Sequence, residues 1–388
     1  MTEEELAALT RLRHELHSQP ELSRNETKTS KLLQAYLAEH APPDDVVKLA
    51  GAGFAAVYNG TGTGRTVLIR AELDALPIQE VNEDLPYKSK KKDVSHKCGH
   101  DGHMTILTGL ARLLSRERPS SGRVVLLFQP DEETGTGARE CCEHEDFAKI
   151  KPDYAFALHN FPGFPKHQIL CRTGVFMSAV RCMVIKFVGK EAHSAMPETG
   201  ASPAIAIAQL TQAARDIQQS FDKPEERALI VPVTFKMGVD IDGKALGSGV
   251  APGSGEAHFT LRSPHNEIVD EMWRLFAAKA EEIAMRHGLS VTFDAIEHFS
   301  ASVNDMQAVS MIEQAASLNN LDYTELAAPF RAGEDFGEIT SRYKGAMFGL
   351  GSGEDCPELH NPDYDFPDEV IPTGVRMFKT LIDRCLSN

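Results

Sequence analysis

The chain has 388 residues, 42% of them hydrophobic and 25% charged, the balance of an ordinary globular protein large enough for one big domain or two. The 56 acidic residues against 40 basic ones leave a net charge of −16, which excludes a nucleic-acid partner, because phosphate backbones need a basic face. No apolar run could span a bilayer, Thr2-Glu3-Glu4-Glu5 does not read as a secretory or transit signal, and the 7 scattered cysteines do not form a disulfide framework; a reduced, cytoplasmic protein without a membrane partner is expected.

In chain order, helical periodicity predicts a helix over residues 3–18, stopped by Pro20, and a second over 26–39, ended by Ala41-Pro42-Pro43. Buried strands are predicted at Arg65–Leu73, Arg123–Phe128, Tyr154–Leu158 and Ala346–Leu350. A helix over 104–115 opens on a polar segment. From 172 to 299 the pattern has its own rhythm: strand 175–188, helix 201–219, strands 229–239 and 255–263, helix 265–286, strand 289–297. That is a βαββαβ unit inserted into a larger discontinuous domain, 1–171 and 300–388, within an α/β architecture.

The polar residues fall at particular places on this scaffold. Asp74 follows the strand ending at Leu73, Glu132 and Glu133 follow the one ending at Phe128, His159 follows Leu158, and His360 lies in the loop beyond Leu350. In open α/β sheets, ligands and catalytic groups gather outside the carboxyl ends of the strands, so these residues are expected to converge.

The densest chemistry is His96-Lys97-Cys98-Gly99-His100-Asp101-Gly102-His103. A thiol, a carboxylate and three imidazoles so close together suit a transition metal. The plainer alternative is a polar loop with Asp101 as a helix N-cap. No Cys-x2-Cys pair accompanies it, so further ligands would come from elsewhere in the fold. In Gln129-Pro130-Asp131-Glu132-Glu133, adjacent carboxylates allow one to hold metal while the other moves protons, although paired acids at a loop start are most often simply solvated.

These residues carry a resemblance. With His14-Glu15-Leu16-His17, Pro20-Glu21-Leu22, Arg70 through Pro77, Leu158-His159-Asn160, Gly189 through Pro197, Gly333-Glu334-Asp335-Phe336, Leu359-His360-Asn361-Pro362 and Tyr364-Asp365-Phe366, the chain resembles the M20 metallopeptidases and amidohydrolases. It is most similar to their N-acyl-amino-acid, hippurate and auxin-conjugate hydrolases, and the likeness spans nearly the whole chain.

The resemblance implies a mixed-sheet catalytic domain of zinc-exopeptidase type with an inserted ferredoxin-like dimerisation and lid domain. It implies two divalent ions, Zn2+ or Mn2+ with Co2+ or Ni2+ as alternatives, bridged by the Cys98 thiolate. His100 and His159 would serve one ion, Glu133 and His360 the other. Glu132 would be the catalytic base, and Asp74 would orient a ligand or the base. His193 would complete the site of a partner subunit in a homodimer, and Arg262 would grip the substrate carboxylate. The implied reaction cleaves an N-acyl amino acid into a carboxylic acid and an amino acid. A dipeptidase or carboxypeptidase on the same centre, and a non-catalytic metal-holding binding protein, stand as alternatives.

The sequence departs from the family pattern in four places. Gly249 stands where an asparagine usually lies beside the substrate, Glu72 where aspartate is commoner, Lys97 where a small residue precedes the cysteine, and Gly333 where serine is frequent.

Overall fold

The computed structural model describes residues 1–221, 223–239 and 244–387. They form two compact units, the first drawn from 1–176, 302–329 and 334–387, the second from the described residues of 177–301 with 330–333. Among the described residues no helix is long and apolar enough to cross a membrane. None of the cysteines is disulfide-bonded.

The first helix, Glu3–Ser18, starts on a capping box. The Thr2 hydroxyl accepts the Glu5 N–H at 3.2 Å, and the Glu5 carboxylate accepts the Thr2 N–H at 2.8 Å. A second helix spans Thr27–His40 and a third His100–Arg116. The third begins earlier than its periodicity suggests, and its N-cap is Gly99 at φ +92, not Asp101. Asp101 lies in the first turn, where its carboxylate is taken by Arg13 at 3.1 Å and His17 at 2.8 Å.

The first unit is built on an eight-stranded mixed sheet in the order Asp45–Lys48, Phe54–Asn59, Arg123–Gln129, Thr66–Glu72, Tyr154–Pro162, Gly345–Gly353, Ile169–Cys171, Tyr323–Glu325. The four strands from Arg123–Gln129 to Gly345–Gly353 run parallel, so their carboxyl ends open on one edge. Their apolar residues do not alternate with polar ones, because both faces are buried: Val67, Leu68 and Ile69 in one strand and Val124 through Phe128 in the next are inaccessible.

One expectation fails here. The Tyr154 strand does not stop at Leu158 but runs to Pro162, pairing His159 with Gly349 and Asn160 with Leu350. His159 is therefore inside a strand, not beyond its end. The polar pair His159-Asn160 resembles a strand terminus in sequence, yet its polar atoms find partners within the protein, as described below.

The second unit is a four-stranded antiparallel sheet in the order Leu229–Met237, Ser254–Ser263, Ala179–Val188, Ser290–Phe299. Helices Ala204–Ser220 and Asn266–Arg286 complete a ferredoxin-like βαββαβ pattern, with the Phe276 ring edge-on to Phe259 at 4.8 Å. Leu229–Met237 is an edge strand, and along it Val231, Val233, Phe235 and Met237 are all exposed.

Candidate metal centre

The turn into the third helix can be made only by glycine. Gly99 has a left-handed backbone, and a Cβ on it would lie 2.4 Å from the Asn160 Oδ1 atom. This close approach seats the segment carrying Cys98 and His100 against the strand carrying His159. The Cys98 Sγ and His159 Nε2 atoms are 3.4 Å apart.

Both buried histidines are oriented by their second nitrogen. His100 Nδ1 lies 2.9 Å from the Asp74 carbonyl oxygen, and His159 Nδ1 lies 2.8 Å from that of Asn160. A carbonyl accepts only, so each Nδ1 donates its proton to that oxygen, and Nε2 is the nitrogen turned toward the other candidate ligands. His100 Nε2 faces Glu133 Oε1 at 3.8 Å and Glu132 Oε2 at 4.0 Å. His360 Nε2 lies 4.0 Å from the same Glu133 oxygen.

The potential ligand atoms fall into two sets that share one member. Cys98, His100 and His159 form one, Cys98, Glu133 and His360 the other, with ligand atoms in each set within 4.8 Å of one another. His100 Nε2 and Glu133 Oε1 are buried and make no hydrogen bond. Buried polar atoms without partners are costly. Separations near 4 Å suit a cation about 2 Å from each, so the residues fit divalent metal.

The electrostatics point the same way. Burial pushes the Cys98 thiol well above its ordinary pKa, and Glu133, Glu132 and Glu72 push it further. Burial, Glu334, Glu133 and Asp335 hold the Glu132 carboxyl well above the usual range. Glu133 is raised to about 7, chiefly by burial, with His100 opposing. Burial lowers His100, but Asp74, Glu72 and Glu133 outweigh it and bring it to about 10. His159 is pulled to about 3 by burial and its neighbouring imidazoles, which leaves it neutral. A pocket that raises its acids and protonates His100 is one that attracts positive charge. A divalent cation satisfies it and makes a Cys98 thiolate stable.

The sequence profile of peptidase family M20/M25/M40 matches residues 68–384. The chain belongs to this family. As an M20 protein it is a metal-dependent hydrolase of amide bonds. It is 30% identical over 361 residues to the N-acetyl-L-cysteine deacetylase of Bacillus subtilis, covering 93% of this chain and 84% of that one. It is 28% identical to the hippurate hydrolase of Campylobacter jejuni, covering 96% and 94%. Among solved structures it superposes on the YXEP protein of Bacillus subtilis, described as a dinuclear metal-binding peptidase of the M20 family. The TM-score is 0.79 at 26% identity, covering 100% of this chain and 99% of that one.

Around the ligand sets of this M20 chain lies a layer of buried polar residues, of which sequence reasoning had singled out Asp74 but not the pairing of the others. Asp74 Oδ2 accepts from the Ser23 hydroxyl at 2.7 Å and the Glu133 N–H at 2.9 Å, and its Oδ1 is 3.4 Å from His100 Nδ1. Arg70, fully buried in a strand, pairs with Glu72, Asp335 and Glu334. Glu72 bonds His103 at 2.7 Å, His103 bonds Asn160 at 2.6 Å, and Asn160 Nδ2 donates to the Tyr364 hydroxyl at 2.6 Å. Glu132 Oε1 accepts the Asp335 N–H at 3.4 Å. The available signal was Arg70 itself, a charge inside an otherwise apolar strand.

His193 and Arg262 belong to the second unit. His193 is exposed, on a two-residue strand paired with Val250–Ala251, and its Nδ1 accepts the Ala195 N–H at 3.1 Å. Gly249, in the same turn, gives its carbonyl to the Ser194 N–H at 2.8 Å, and a Cβ on it would meet nothing within 4 Å. Arg262 donates to the Arg331 carbonyl at 3.0 Å, and burial lowers its pKa.

Proposed function

We propose that the chain cleaves N-acyl amino acids to a carboxylic acid and a free amino acid at a centre of two divalent ions. The observation that carries this reading is the membership of Cys98 in both ligand sets. His100 and His159 would hold one ion and Glu133 and His360 the other, with the Cys98 thiolate available to both. The thiolate and imidazoles match zinc and the carboxylate matches manganese; cobalt or nickel could also be accommodated. When bound, such ions polarise the amide carbonyl and acidify water.

Glu132 takes the proton of the attacking water and passes it to the leaving amine nitrogen. Burial and the neighbouring acids Glu334, Glu133 and Asp335 raise its affinity for a proton, which favours uptake of a proton from water. Asp74 fixes the His100 ring through Nδ1 and the Glu133 backbone through its N–H. In this reading His193 steadies the developing oxyanion in the site of a partner subunit, and Arg262 binds the substrate carboxylate. A homodimer is supported by the exposed apolar residues of the Leu229–Met237 edge strand, a surface that pairs readily with a second copy. The unpaired cysteines suit a reducing, cytoplasmic setting.

The test is Glu132→Ala with its ions fully loaded, assayed on N-acetyl and N-benzoyl amino acids beside dipeptides. A loss of kcat of at least about 100-fold at unchanged metal content is expected. Near wild-type turnover would overturn the assignment. Preferential hydrolysis of dipeptides by the unaltered protein would replace the acyl-amino-acid reading with a dipeptidase.

A further inference from the structure

Lys97 is the residue by which this sequence departs from the family pattern just before Cys98, and the structure finds it fully buried. A buried ammonium persists only when closely paired. Its Nζ donates to Glu80 Oε1 at 2.6 Å and to the Tyr364 carbonyl at 2.7 Å. Its own carbonyl accepts the His360 N–H at 2.8 Å. One residue therefore holds the turn from His360 to Tyr364 at both ends.

The same turn is held in the middle by the two residues that follow Glu80. Val81 N–H donates to the Pro362 carbonyl at 3.1 Å, and Asn82 Nδ2 donates to the Asp363 carbonyl at 2.9 Å. Glu80 is anchored in turn by His17 at 3.0 Å and the Ser89 N–H at 2.6 Å. His360 has φ +66, a left-handed conformation uncommon outside glycine that needs such outside support. His100 and His159 are oriented by the carbonyls of Asp74 and Asn160, without Lys97 or Glu80.

We infer that Lys97 is a positioning residue for one half of the metal centre. Through Glu80 and Tyr364 it sets the place of His360, and so governs retention of the ion assigned to Cys98, Glu133 and His360. This rests on the two-ion reading above. A small residue at 97 could keep the backbone bond to His360 but could not reach Glu80 and Tyr364.

The test is calorimetric titration of the metal-stripped full chain with Zn2+ and with Mn2+, with thermal unfolding followed in parallel. Compared are the unaltered protein, Lys97→Met, and Lys97→Met combined with Glu80→Gln, which removes the charged pair together should the single variant fold poorly. The unaltered protein is expected to bind two ions. The variants should bind one with unchanged affinity and the other about 10- to 100-fold more weakly. In a His360→Ala background, Lys97→Met should change the remaining affinity by less than about twofold. Two sites of unaltered affinity in the variants, or equal weakening of both, would overturn the inference. Fewer than two ions in the unaltered protein would overturn the two-ion reading itself, and the inference with it.

Discussion

His159 presents Nε2 to the Cys98 sulfur at 3.4 Å while the adjacent Asn160 carbonyl holds its Nδ1 proton. The pair joins a rigid strand to the turn that opens the third helix, and it fixes which nitrogen can bind metal. Replacing the sulfur tests the bridge. Cys98→Ser substitutes a hydroxyl, whose proton is far harder to displace, for a thiol that two cations can ionise. Metal analysis should find occupancy well below two ions per chain and affinity reduced at least about tenfold. Two tightly held ions in this variant would remove Cys98 from the bridge.

Arg70 makes a stability prediction. Its guanidinium pairs with Glu72, Glu334 and Asp335 together. Arg70→Met keeps the volume but leaves three buried carboxylates without it, which should cost about 3–5 kcal/mol. Denaturant unfolding of the apo protein measures this, and a loss under about 1 kcal/mol would show that the carboxylates are compensated elsewhere.

His17 predicts a pH dependence. Burial lowers its pKa, but hydrogen bonds to Asp101 and Glu80 more than reverse this and bring it to about 9. A folded pKa above the unfolded value means that His17 binds its proton more tightly in the native state. Its contribution, up to about 3 kcal/mol, is therefore complete below about pH 6.5 and disappears as pH rises through about 9. Apo-protein unfolding from pH 6 to 10 should show the gap between the unaltered protein and His17→Gln closing over that interval. A gap independent of pH would mean that His17 is neutral in the fold.

The edge strand gives a prediction about assembly. Placing lysine at Val233 and Phe235 charges two exposed positions in the middle of Leu229–Met237. For the proposed homodimer, sedimentation should show a shift toward monomer, with the far-ultraviolet circular dichroism unchanged. An unshifted dimer would place the contact elsewhere.

Much of the scaffold could be read from one dimension. Apolar runs marked the parallel strands, and Glu132 and Glu133 lay just past one, where open sheets expose their chemistry. His159 was misplaced because strand pairing continues through polar residues when they are satisfied from the side, and local composition does not record that. Arg70 and Asp335 stand 265 positions apart, so their pairing exists only after folding. The same is true of Lys97: its neighbourhood in sequence gives no hint of Glu80 or the Tyr364 carbonyl.

Two imidazoles of the centre, His159 and His360, differ in mechanical setting. His159 belongs to a hydrogen-bonded strand with 6% of its surface exposed, whereas the His360 side chain is 52% exposed on a turn. The order of loading and release follows from that contrast. The ion on the framework side should enter first and exchange slowly, and its neighbour should come and go with the turn, so a chelator would strip the centre in two separable kinetic phases.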